Sequence, residues 1–508
     1  MAAPQPHPPG PDQPSADQAQ EAPHTLVRFL SQLGPGLILA GAVVGSGELI
    51  ATTKTGAQAG FWLLWLIVIG CVIKVFAQIE FGRYAICTGR ATMAAMNEVP
   101  GPRWRVNWLL WYWLVMFVVS IAQLGGVVGG VAQSLAMSVP ITGDFNQLLE
   151  EQDAWDAQTP SASAAKSPPA SRAPRPNRLT KDDAYWAGLI TAITILLLVN
   201  GRYSLVQNAS TAMVALFTAV SVFCVIAMQG QPNWAVHARD LWQGLQFRLP
   251  PSPGGSSWTP LATALASFGI IGVGANELIA YPYWCLEKGY ARFTGPCDPS
   301  EQWARRARGW MRVMHWDACF SMLVYTFATV AFYLLGAAVL HRQGLDPEGS
   351  QMIRTLSQMY VPVFGRWAEG FFMLGAFAVL YSTFFVASAS HARVAADAVR
   401  VFGAGAGDEK ARLWWVRFFC VGFPTLAFLA FACIRAPVGL ILASGVMQAI
   451  MLPMLGGATL YFRYRRCDPR VAPGPLWDIL LWLSALGLLI AGGWVAIDQL
   501  LRLLPRAS

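Results

Sequence analysis

Two glutamates stand where hydrocarbon is expected to surround them. Val44 to Ala51 read VGSGELIA and Val273 to Ala280 read VGANELIA, each inside a long apolar run. An ionisable side chain at the centre of a membrane helix costs roughly 2.5–3.5 kcal/mol on insertion scales, so such a residue normally faces protein or water and has a task. Gly45 and Gly47 precede Glu48, and Gly274 precedes Glu277. Glycine tolerates the dihedrals of an unwound turn, and unwound backbone at membrane depth is tolerated where it lines a cavity. Two carboxylates, the Asn276 amide oxygen, the Ser46 hydroxyl and freed carbonyls form an all-oxygen donor set. Hard cations such as Mg²⁺, Ca²⁺ or Mn²⁺ prefer such ligands. Without a metal, two nearby carboxylates can share a proton. A plainer role stays open, because a glutamate at the start of a half-helix caps free amides and is stabilised by the helix dipole. Glu48 also has Lys54 or Lys74 as a possible structural partner.

The elements that must hold these residues are membrane helices. The 508 residues are 55% hydrophobic and 13% charged, with a mean hydropathy of +0.43, far more apolar than an ordinary soluble domain. About eleven apolar runs long enough to span a bilayer lie near 34–53, 61–82, 107–136, 184–200, 205–228, 258–283, 314–340, 367–390, 413–433, 437–461 and 475–500. The net charge of +8 comes from Lys and Arg at the ends of these runs, which excludes a nucleic-acid stripe and reads as topology. Arg83 to Arg105, Lys288 to Arg312, Lys410 to Arg417 and Arg463 to Arg470 all fall on one side if the N-terminus is cytoplasmic. None of the nine cysteines falls in a loop expected outside, so no disulfide framework is indicated. The compartment expected is a bacterial inner (plasma) membrane.

Two segments stand apart from the fold. Residues 1–23 are rich in Pro, Gln and Ala without an apolar core and read as a disordered cytoplasmic tail. Residues 141–183 read as a flexible external insertion rich in Pro, Ser and Ala. The remainder divides into a first five-helix unit, 34–228, a second, 258–461, and an additional helix, 475–500. Each ELIA copy opens its own unit, and an odd number of helices per unit inverts the second relative to the first. Inverted-repeat transporters place two broken helices together near the midplane to make the substrate site.

The stretch GPGLILAGAVVGSGELIATTKTGAQAGF resembles the first helix of the Nramp divalent metal transporters, which opens with GP and closes with GAQ-x-G-aromatic. The second helix is similar in Gln78, Arg83 and CTGR at Cys87 to Arg90, GIIGVGANELIAYPY resembles the sixth helix, and RLWWVR resembles the opening of the ninth. The resemblance, over about 34–461, implies an all-α LeuT-like fold with a five-plus-five inverted repeat, broken first and sixth helices, and about eleven transmembrane helices. It also implies transport rather than enzymatic activity and no cofactor. The departures fall on the chemistry. The family's metal-binding aspartate corresponds to Gly45, its asparagine to Glu48, its methionine is lost from the sixth helix, its histidine corresponds to Leu278, and its third-helix glutamate to Gly126.

The expected substrate or metal site is therefore Gly45, Ser46, Gly47, Glu48, Gly274, Ala275, Asn276 and Glu277, with Gln78, Gln123, Gln448 and Arg417 lining the pathway. His315 and Asp317 read as residues of the cytoplasmic interface, and Lys74 and Glu80 as a buried brace and an interfacial acid. The leading function is a secondary transporter carrying a hard divalent cation by alternating access. A small organic cation or amine on the same fold, or a non-transporting sensor or scaffold, are the competing readings. Apart from the cargo and the lipid no partner is implied, nucleic acid is excluded, and the sequence does not fix the oligomeric state, with which a monomer is compatible.

Overall fold

A computed structural model describes residues 18–23, 25–157, 176–200, 203–251, 258–403 and 409–503. Its long helices follow the apolar runs. The first ten, in chain order, are Pro35–Ala59, Leu64–Thr88, Trp108–Ser138, Lys181–Val199, Tyr203–Ala227, a sixth in two halves, then Glu301–Gln343, Ala368–Val401, Glu409–Ile434 and Pro437–Arg466. The sixth comprises Trp258–Ile270 and Ala275–Lys288, and the eleventh is Pro475–Leu503. The seventh begins well before its apolar run, because Glu301 to Arg312 form a polar helical turn series that carries it beyond the hydrocarbon.

Apolar side chains point outward as well as inward. Leu476, Ile479, Leu483, Leu486, Ile490 and Ile497 are exposed along the eleventh helix, and Trp414, Phe418 and Leu429 along the ninth. Surfaces this apolar have no counterpart on a soluble monomer and face lipid, where the helix satisfies every backbone polar group internally. The chain is an integral membrane protein.

Inside, helices meet backbone to backbone. A Cβ on Gly269 would overlap the Gly445 carbonyl, and one on Gly445 would overlap the Ala266 carbonyl. The first half of the sixth helix thus lies directly on the tenth, the contact small residues permit between membrane helices. In the third helix a Cβ on Gly126 would stand 2.5 Å from the Pro437 carbonyl oxygen, so tenth-helix backbone fills the space beside Gly126.

The two ELIA copies break differently. The second unwinds between Ile270 and Ala275. The first stays helical but widens to a π-helix over Val44–Thr52. A π-turn of this kind is a local expansion of the helix that recurs at functional sites.

Two expectations about the segments outside the fold need correction. Asp144–Ala157, inside the expected flexible insertion, is a helix with Phe145, Leu148, Leu149 and Gln152 buried. Its apolar residues recur at i, i+3 and i+4, a stripe that the Pro/Ser/Ala composition of the whole segment conceals. Gln152 and Ser350 exchange hydrogen bonds of 2.7 and 2.9 Å, and Arg354 pairs with Asp153 at 2.6 Å. The rest of that expectation, 158–175, lies outside the described residues, as does 1–17 of the expected tail. The end of the tail is seated: Gln20 donates its N–H to the Phe293 carbonyl and accepts from the Trp310 indole, both at 2.8 Å.

Candidate functional site

The sixth-helix break turns at Gly272, whose φ of +58° lies in the left-handed region that favours glycine. One peptide unit of this turn, Ile271–Gly272, is gripped from both ends. Lys74 of the second helix donates to the Ile271 carbonyl at 2.8 Å and also to the Phe268 carbonyl. On the other side, the Gly272 N–H donates to Glu48 Oε1 at 2.7 Å. Glu48 and Lys74 are both completely buried, and they interact through a polarised peptide rather than by direct contact. Glu48 Oε1 also accepts from Thr329 at 3.3 Å, while its Oε2 has no hydrogen-bond partner. Lys54, the other expected partner of Glu48, instead pairs with Asp346 at 2.6 Å and Glu348 at 2.7 Å at the far end of the first helix.

Past the turn the second half-helix starts with free N–H groups. Asn276 N donates to Gln448 Oε1 at 3.2 Å. The Glu277 carboxylate turns back over the helix start, so that a Cβ on Gly274 would stand 2.5 Å from its Oε2. Glu277 thus lies against the start of the half-helix, and it is only half-buried while residues 271–276 and 278–285 around it are buried. Gln448 continues the polar cluster. Its amide and the Ser444 hydroxyl donate to Gln123 Oε1 at 2.9 and 2.8 Å, and the Gln123 amide donates to Ser46 Oγ at 2.9 Å. Ser46, Gln123, Gln448, Asn276 and Glu277 thus converge from the first, third, tenth and sixth helices, with Gln123, like Glu277, half-buried. The cluster presents oxygen donors and one acid.

Glu48 lies behind the break, held by the turn. Among the described residues no group of three or more His, Cys, Asp or Glu side chains is placed to hold a metal ion, so a cation here would rest on amide, hydroxyl and carbonyl oxygens beside Glu277. Gly45 faces the eighth helix, where a Cβ would overlap Thr383 Oγ1. Gly47 lets the first helix approach the break, since its Cβ would stand 2.9 Å from the Ile270 carbonyl oxygen. Ala275 is wholly buried. Gln78, one turn after Lys74, is wholly buried with neither amide atom hydrogen-bonded. Arg417 corrects the expectation that it lines a pathway: it is exposed on the ninth helix beside exposed Phe418, on the face directed away from the bundle.

Packing supplies the partners of residues that the sequence places at the cytoplasmic interface, Asp317 among them. It is buried and accepts from Gly34 N at 2.8 Å, Gly36 N at 2.6 Å and Tyr281 Oη at 3.1 Å, so it caps the start of the first helix. His315 stacks on Trp477 and meets Arg83 at 3.3 Å, and Glu80, expected at the interface, is buried against Arg83 and the Trp477 indole. Ser444 and Thr329 have no part in the expectations drawn from the sequence. Ser444 lies four residues before Gln448 on the same face of one helix, and that spacing was the available signal.

The space at Gly45 carries an expected result. Gly45→Asp alone should lower the melting temperature and give no gain in divalent-cation binding, because the new side chain collides with Thr383, whereas adding Thr383→Gly should restore stability. Thermal melts of the two purified proteins check this, and a single variant as stable as the parent would refute the packing argument.

Over 107 residues the chain is 33% identical to the divalent metal cation transporter MntH of Caldanaerobacter subterraneus, a match covering 20% of this chain and 25% of that protein. Over 115 residues it is 30% identical to the metal transporter Nramp6.2 of Populus trichocarpa, covering 22% and 20%. These matches span no more than about a quarter of the relatives' length. A crystal structure of the Eremococcus coleocola manganese transporter superposes with a TM-score of 0.60 at 15% identity, covering 96% of this chain and 90% of that one. Mhp1, a nucleobase-cation-symport-1 family transporter, superposes with a TM-score of 0.53 at 13% identity, covering 96% of each. The fold is the LeuT-like five-plus-five arrangement with the first and sixth helices modified at their centres. The model of the natural resistance-associated macrophage protein-like family matches residues 36–143 and 177–498, and the chain belongs to this family, Nramp.

Proposed function

We propose that the protein is a secondary transporter that carries a hard divalent cation of the Mg²⁺ or Mn²⁺ type by alternating access. The observation that carries this reading is Glu277, a half-buried carboxylate at the start of a broken helix, near the side-chain oxygens of Ser46, Gln123 and Gln448. An oxygen-only set suits a hard cation and offers nothing to a softer one. The relatives named above as metal transporters support it. The two ends of the bundle carry contacts that alternating access would have to break. At the end where the first helix starts, Asp317 holds Gly34 and Gly36, and at the opposite end Lys54 holds Asp346 and Glu348. In this reading the N-terminus is cytoplasmic, the membrane is a bacterial inner membrane, and a cavity lined by Tyr283, Glu287, Asp397, Arg400 and Arg412 is the cytoplasmic vestibule.

One observation favours a second cargo. A single acid faces the cluster, since Glu48 is engaged by the turn, and one acid suits a small organic cation. Uptake into proteoliposomes separates the two: transport of Mg²⁺, Mn²⁺ or Ca²⁺ with no competition from alkylamines is the expected result. Amine uptake without divalent uptake would overturn the metal reading.

A further inference from the structure

The carbonyl end of the first half of the sixth helix is where a cation would gather, because freed carbonyls and the negative end of the helix dipole point there. That place is taken. Lys74 donates to the carbonyls of Phe268 and Ile271, and its ammonium lies 4.7 Å from the centre of the Phe268 ring. Its electrostatic neighbours include both glutamates, Glu48 and Glu277. Two carbonyls of the break are unavailable to a cargo. Resting on the reading that the cargo is a cation bound at this break, we propose that Lys74 is a resident cation that determines specificity: it fills the carbonyl end of the sixth-helix break and so weakens the site for divalent ions.

The geometry explains why a lysine can remain there charged. A buried ammonium is expensive unless paired and fully hydrogen-bonded. Two carbonyls, an aromatic face and the peptide-linked carboxylate of Glu48 supply those partners. Loss of the ammonium would leave the Phe268 and Ile271 carbonyls free at the end of the first half-helix. Those are ligands for a divalent ion.

The test is Mn²⁺ binding to purified full-length protein by isothermal titration. Lys74→Gln, which keeps amide donors but no charge, is expected to bind Mn²⁺ at least about tenfold more tightly than the parent, and Lys74→Arg to bind as the parent does. Should Lys74→Gln fail to give a monodisperse protein, Lys74→Met, which keeps the length of the side chain but has no donor and so vacates the same carbonyls, should bind Mn²⁺ more tightly in its place. A folded variant of either kind with Mn²⁺ affinity equal to or weaker than the parent's overturns the proposal. The functional reading fails by a different result, absence of divalent uptake by the parent protein, so the two failures are separable.

Discussion

Glu277→Gln should reduce cation uptake at least about tenfold, the loss that accompanies about 1.4 kcal/mol of cation binding, while the protein stays folded. The fold is spared because a glutamine oxygen can still turn back on the N–H groups at the start of the second half-helix, as the carboxylate does beside Gly274. What the substitution removes is charge at the half-buried position within the Ser46, Gln123 and Gln448 cluster. Glu48→Gln should behave differently. The hydrogen bonds from Gly272 and Thr329 both arrive at Oε1, and an amide oxygen can accept them. Its main effect is to leave Lys74 uncompensated, which should appear as lower thermal stability rather than as selective loss of uptake. Initial rates in proteoliposomes, with melting temperatures of the same preparations, check the contrast. If Glu277→Gln transports as well as the parent, the carboxylate is only a helix cap.

Gly272→Ala should destabilise the protein by about 2 to 4 kcal/mol, from roughly 1–2 kcal/mol for a side chain in the left-handed region and a similar amount for overpacking. A Cβ at Gly272 would stand 3.1 Å from Cys71 Cα and 3.1 Å from the Tyr325 ring, both buried. The neighbours are a helix backbone and a ring fixed by its hydroxyl contact to the Cys71 carbonyl at 3.3 Å, so neither yields cheaply. The same peptide joins Lys74 and Glu48, and any shift of it disturbs both charges. Denaturation of the variant by a graded detergent series provides the measurement, and stability equal to the parent's would show that the turn can relax.

The membrane class and the helices were legible in the sequence because hydrocarbon imposes a one-dimensional rule: a spanning helix needs a run of about twenty apolar residues wherever it packs. The pairing of the two ELIA copies was legible for a similar reason, since glycine beside an acid inside such a run is costly enough to mark a site. The helix at Asp144–Ala157 was hidden because its apolar stripe is short and lies in a segment dominated by Pro, Ser and Ala.

The sequence by itself thus determined that two glutamates sit at membrane depth in two related helices. It left open what each touches, because hydrogen-bond partners come from helices far away in the chain. Only the tertiary structure decided that Lys54 belongs to Asp346 and Glu348, that Lys74 reaches Glu48 through the Ile271–Gly272 peptide, and that Arg417 faces outward. The direction of a long charged side chain depends on which buried carbonyl or carboxylate lies within its reach, and that is a property of helix packing. For the same reason Glu277 and Glu48, alike in their local sequence, ended in different surroundings: one half-open beside a polar cluster, the other closed behind a left-handed glycine.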